Sequence, residues 1–285
     1  MKKDRRTIAL ICVLSIALIV SSACDMDKTF REAEKGKTKG IVAIVYSDLS
    51  KSINEEIANR QKENIDQLFR RLPVNTKFFL FSIDRGTSKP NIYQFIPQLP
   101  EVRVEADRDK LKKAIAENEK AKETTEAERL SSSLNSYYGS ITKQDGPVSC
   151  ISNRLNALVD EIRNQKETYR DYEIRIFFYS DMIEQCDASF DGKPLKFKKA
   201  TSDAEEAKDL QDIQTRIDQN FQQTSLGQDL KSGTKIYIVQ TSQDDKQSPT
   251  NLKTIWNAFF SKLGFEPKEI VWANGNHESF WKVDK

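Results

Sequence analysis

Histidine is almost absent from this 285-residue chain, with His277 the single example. A histidine metal cluster and a Ser/His/Asp triad are therefore excluded. No glycine-rich phosphate loop occurs, which removes the common nucleotide-cradling turn. Asp48 has no second Asp two residues on, so the D-x-D pattern of a nucleophilic aspartate is missing. There is no internal repeat. An excess of positive charge is missing too. Lys+Arg 45 against Asp+Glu 43 gives +2, but four of those basic residues and one acid lie in the first 23 positions. The 262 residues left after removing those 23 from 285 carry 41 basic and 42 acidic side chains, a balance near −1. Nothing here points to a nucleic-acid partner. A charged fraction of 31%, mixed in sign, reads as a solvated surface with many ion pairs.

Long apolar runs are scarce, and the longest stands at the N-terminus. Lys2, Lys3, Arg5 and Arg6 precede the apolar run Ile8 to Val20, and Ser21-Ser22-Ala23 follows. This is the three-part pattern of a secretory signal peptide over residues 1–23. The run falls short of the ~20 residues a spanning helix prefers. Small residues followed by Cys24 resemble the lipobox of bacterial lipoproteins, with Ser21 where Leu is usual. The resemblance implies cleavage before Cys24, lipid attachment to its thiol, and a domain held at the membrane of a bacterial cell envelope, outside the cytoplasm. An ordinary signal peptide with an incidental cysteine is the plainer alternative. Asp25 resembles an inner-membrane retention signal. Cysteine is otherwise rare. With Cys12 in the signal and Cys24 lipidated, Cys150 and Cys186 remain, either as a disulfide or as two free buried thiols.

Residues 24–39 are polar and lack periodicity, as suits a tether. Ile41 to Tyr46 is a continuous apolar run, the expected form of a strand buried on both faces. Ser50 to Arg71 reads as a helix stopped by Pro73. Thr76 to Ile83 reads as a strand and Asn91 to Ile96 as a short edge strand between prolines. Asp107 to Tyr138 carries a thin apolar stripe (Leu111, Ile115, Leu130) and reads as a solvated helix or helical pair, with Ser131 to Gly146 as a looser loop. Ile151 to Asn164 reads as a strong helix. Tyr172 to Tyr179 is a strand ending in Ser180-Asp181. Asp187 to Lys199 reads as a small hairpin and Ala204 to Phe221 as a charged helix. Thr234 to Gln240 is a strand, Leu252 to Leu263 a helix, and Glu269 to Trp272 a last strand. Alternation of this kind predicts an α/β fold over residues 40–274, one domain with a mostly parallel central sheet and helices on both faces. Residues 275–285 form a polar tail, in which His277 reads as a solvated loop residue.

Asp48, Ser50 and Ser52 alternate directly after the first strand. One carboxylate and two hydroxyls at a strand-to-helix turn form a set of hard oxygen donors, suited to Mg²⁺ or Mn²⁺. The carboxyl ends of strands are also where open α/β sheets hold ligands. Helix capping is the plainer role for both serines, and a turn the plainer role for Asp181.

A first strand ending in Asp48-x-Ser50-x-Ser52 and a later central strand ending in Asp181 resemble a von Willebrand factor type A domain, over roughly Gly40 to Ala273. The resemblance implies a metal-ion-dependent adhesion site. Its first loop would supply Asp48, Ser50 and Ser52. Its middle loop, which carries Thr in the family, would supply Ser149, with Thr142 as the fallback. Its last loop would supply Asp181, followed here by Met182 where Gly is usual. Cys150 and Cys186 would then lie on neighbouring loops at the rim of the site, which favours the disulfide. The implied function is binding rather than catalysis: Mg²⁺ or Mn²⁺ would share one open position with a carboxylate from a protein partner. Two rivals follow from the same residues. One is a metal-dependent hydrolase, for which Glu184 is the one nearby carboxylate able to act as base. The other is a structural envelope lipoprotein with a vestigial metal site.

Overall fold

The central strand β1 (Gly40–Asp48) is buried along nearly its whole length, from Ile41 through Asp48. The computed structural model describes residues 40–48, 50, 53–83, 91–102, 104–141, 149–151, 154, 169, 172–183, 204, 207, 208, 210–212, 215, 234–241, 252–262 and 264–274. Burial on both faces explains why the sequence of β1 is an unbroken apolar run rather than an alternating one. The other strands are β2 (Thr76–Ile83), β3 (Tyr93–Phe95), β4 (Tyr172–Ser180), β5 (Lys235–Gln240) and β6 (Ile270–Asn274). They form one six-stranded sheet in the order β3-β2-β1-β4-β5-β6. All neighbours are parallel except β3, which runs antiparallel along the edge of β2. That order is the doubly wound one. The chain leaves β1 in one direction for β2 and later returns to the other side of β1 as β4, so the strand order reverses between β1 and β4.

Helices cover both faces. α1 (Glu55–Arg71) and α3 (Thr125–Ile141) pack on the face of Ala43 and Val45, through Ile65, Leu68 and Phe69 and through Leu130, Leu134 and Tyr138. α4 (Leu252–Lys262) covers the face of Val42, Ile44 and Tyr46 with Ile255, Trp256, Phe259 and Phe260. The period-two alternation of β1 thus divides its side chains between two cores. Phe260 is fully buried beside Phe178 and Trp256, with ring centroids 6.2 and 5.8 Å away. Truncation to Ala at such a position costs roughly 3–5 kcal/mol. α2 (Asp107–Glu123) is more exposed and precedes α3 with one residue between them.

The α/β class, the parallel sheet and helices on both faces agree with the sequence reading, and β2 has the expected bounds. Two local differences have physical causes. α1 begins at Glu55 rather than Ser50, because the Asn54 carboxamide caps it, accepting the Ile57 N–H at 2.8 Å. The stretch 131–141 is helix rather than loop. Ala127, Leu130, Leu134 and Tyr138 recur at helical spacing and bury a stripe strong enough to override the serines. The edge strand is shorter than expected, Tyr93–Phe95, and the last strand runs on to Asn274. Ile151 and Arg154 are helical at the start of the expected 151–164 helix, and the described residues from 204 to 215 are helical too. The expected hairpin at 187–199 lies outside the described residues.

Candidate metal centre at the carboxyl end of the sheet

β1 and β4 end side by side, at the point where the strand order reverses. The last paired residues are Ser47 and Tyr179. One step further on stand Asp48 and Ser180, on the same face of the sheet. The Ser180 hydroxyl donates to Asp48 Oδ2 at 2.6 Å. Asp48 Oδ1 accepts two more hydrogen bonds, from the Ser50 amide at 2.9 Å and the Ser149 hydroxyl at 2.8 Å. Three donors from three segments therefore fix one carboxylate. Asp48, Ser149 and Ser180 are wholly buried, and Ser50 and Asp181 nearly so.

A buried carboxylate needs compensation, because desolvation penalises its charge. Burial pushes the Asp48 carboxyl up to about 6, and the neighbouring Asp181 charge pushes in the same direction. Hydrogen bonds from Ser180, the Ser50 amide and Ser149 act against that rise. Among the described residues no ion pair reaches Asp48, and the charge that faces it is another carboxylate. Paired acids of this kind hold a proton or attract a cation. The donor set consists of two carboxylates and the side chains of Ser50, Ser149 and Ser180, all hard oxygens without nitrogen or sulfur. That chemistry fits Mg²⁺ or Mn²⁺. Among the described residues no group of three or more His, Cys, Asp or Glu side chains is arranged to hold a metal, so any site here depends on hydroxyls.

The β4 turn that carries Asp181 is unusual. Met182 has φ 60°, in the left-handed region. A side chain of this size rarely adopts it, at a cost of roughly 1–2 kcal/mol. The Met182 N–H donates to Ser180 Oγ at 2.9 Å, and its carbonyl accepts the Trp256 indole N–H at 2.7 Å. Asp181 Oδ1 accepts the Ile183 N–H at 3.0 Å.

A second polar cluster occupies the opposite face of the sheet, behind the site. The hydroxyls of Ser47 and Tyr138 lie 2.7 Å apart, and Tyr138 donates to Gln61 Oε1 at 2.8 Å. Gln61 Nε2 donates to Thr241 Oγ1 at 3.0 Å. All four side chains are buried, so α1, α3, β1 and the end of β5 are joined by satisfied polar groups. Burial pushes the Tyr138 phenol well above its usual range.

Of the residues expected at the site, Asp48, Ser50, Ser149 and Asp181 come together. Ser52 lies outside the described residues, as do Cys24, Thr142, Glu184, Cys186 and His277. Cys150 is fully buried and disulfide-bonded, and its partner lies outside the described residues. Ser180 and Trp256 were not foreseen as part of the site. Ser180 was accessible in principle: alternation along β4 puts it on the face of Ile176 and Phe178, where parallel pairing sets it opposite Asp48. The Trp256 contact joins residues 74 positions apart and leaves no local signature.

No protein-family model matches the chain, and no curated protein is significantly similar to it. Among the described residues no helix is long and apolar enough to cross a membrane.

Proposed function

We propose that the domain is a binding module. It holds Mg²⁺ or Mn²⁺ through Asp48, Ser50, Ser52, Ser149 and Asp181, and captures a protein partner that presents a carboxylate. The observation that carries this reading is the pair of buried carboxylates at adjoining strand ends, with no opposing charge at Asp48 among the described residues. A bound divalent ion would supply that charge and offer an open position to the partner's carboxylate. The hydroxyl of Ser149 and the amide of Ser50 keep Asp48 in one orientation, so little reorganisation is needed on binding. The likeness to a von Willebrand factor type A domain is part of the proposal, and Asp48, Ser50, Ser149 and Asp181 support it. The lipid anchor at Cys24, proposed from the N-terminal sequence pattern alone, would hold the domain outside the cytoplasm. A disulfide at Cys150 accords with an oxidising compartment, and Cys186 is its proposed partner.

Calorimetric titration of the full-length chain in detergent with Mg²⁺ and Mn²⁺ tests the reading, beside Asp48→Ala and Asp181→Ala. Binding by the intact chain and loss in both folded variants is the expected result. Absence of binding in the intact chain would sink the metal-dependent mechanism and leave a structural envelope protein.

A further inference from the structure

Met182 is the one non-glycine residue with positive φ among the described residues. A side chain held in that region persists only where its surroundings over-determine it, and such positions gather at functional sites. Here the restraints can be named. The Ser180 hydroxyl accepts the Met182 N–H and donates to Asp48 Oδ2. One oxygen thus ties the turn to the first carboxylate. The Trp256 indole N–H donates to the Met182 carbonyl from α4. Trp256 is itself fully buried between Phe259 and Phe260, with ring centroids 5.3 and 5.8 Å away, so the donor has little freedom. The Met182 side chain is buried in the same core. A glycine would take this backbone conformation unaided. With methionine there, the turn needs its clamp. The turn also sets where the Ile183 N–H lies, and that N–H donates to Asp181 Oδ1 at 3.0 Å, so the Asp181 carboxylate is held through the turn.

We propose that Ser180 and Trp256 are positioning residues that clamp the left-handed turn at Met182 and so hold Asp181 beside Asp48. The inference deepens the metal-binding reading and rests on it.

The test is a cycle on the full-length chain in detergent. Trp256→Phe keeps an aromatic ring in the core and removes the N–H. It is expected to weaken Mg²⁺ binding by about tenfold, as loss of a group supporting metal ligands commonly does. Adding Met182→Gly is expected to recover most of that loss, because glycine needs no clamp. A purely structural tryptophan would lower the melting temperature without altering Mg²⁺ affinity, and the second substitution would only deepen the damage. Unchanged affinity in Trp256→Phe, or no recovery in the double variant, overturns the proposal. Should the intact chain bind neither Mg²⁺ nor Mn²⁺, the metal reading fails and the clamp is judged by melting temperature in EDTA. Met182→Gly must then be more favourable in the Trp256→Phe background than in the intact chain. Equal effects in both backgrounds overturn the clamp.

Discussion

The Ser149 hydroxyl donates to Asp48 Oδ1 at 2.8 Å, joining positions 101 residues apart in the chain. Few single contacts say more about the site, because Asp48 ends β1, Ser149 lies in a distant segment, and both are wholly buried. Ser149→Ala is expected to destabilise the protein by about 1.5–3 kcal/mol, the usual worth of a hydrogen bond to a charged group. Mg²⁺ affinity should fall with it, by tenfold or more. Ser149→Thr, which keeps the hydroxyl, should retain both. Calorimetry and urea denaturation would check the pair, and full Mg²⁺ affinity in Ser149→Ala would remove Ser149 from the site.

Asp48 makes the metal-free protein sensitive to pH in a definite direction. Its carboxyl is raised from 3.8 to about 6 in the folded state, chiefly by burial and then by Asp181. Between those values the folded chain binds more protons than the unfolded one. Stability is therefore lost as pH rises from about 4 to 6. Asp48→Asn should flatten this slope in EDTA and melt no lower than the parent at pH 7. It should also bind no Mg²⁺. A steeper slope in the variant would contradict the assignment.

Lys122 gives the opposite slope at higher pH. Its amine donates to the carbonyls of Arg70 and Leu72 at the C-terminal end of α1 and lies 5.5 Å from the Phe69 ring centroid. Burial lowers it from 10.5 to about 8, against the pull of Glu119 and Glu123, with Arg70 adding to the fall. The unfolded chain binds more protons between those values, so stability rises as pH goes from 8 to 10.5. Lys122→Met should abolish that rise, read from denaturation midpoints at pH 7.5 and 10. Retention of the slope would assign it to another group.

Tyr138 separates folding from binding. Tyr138→Phe deprives Gln61 Oε1 of a donor and breaks the contact with Ser47 on the face away from Asp48. A loss of roughly 1–3 kcal/mol is expected, with Mg²⁺ affinity within about twofold of the parent. A large drop in affinity would mean that the two faces of the sheet are coupled.

Much of this was legible in the sequence, for reasons that are local. Ile41 to Tyr46 and Thr76 to Ile83 are apolar runs whose strand character needs no distant partner. Asp48 and Asp181 were visible as acids closing two such runs. Ser50 and Ser52 suggested a helix start because serine caps well, yet Asn54 competes for the same role and is the cap. The serines of 131–141 suggested a loop, while Leu134 and Tyr138 keep the helix going by packing on the sheet. The contacts of Gln61 with Thr241 and of Trp256 with Met182 were hidden, since each depends on a residue 74 or more positions away, whereas alternation along β4 already put Ser180 on the face of Asp48.

The distance along the chain between Asp48 and Ser180 also fixes a timetable. They are 132 residues apart. At ~5–20 residues per second, a nascent chain carries Asp48 for roughly 7 to 26 s before Ser180 exists. Once Ile83 is made, β1 has β2 for a neighbour but not β4, and neither the second acid nor the Ser180 hydroxyl that bonds Asp48 yet exists. A chain cut short between Ser52 and Ser149 keeps its Asp-x-Ser-x-Ser string and lacks every distant hydroxyl that closes on Asp48.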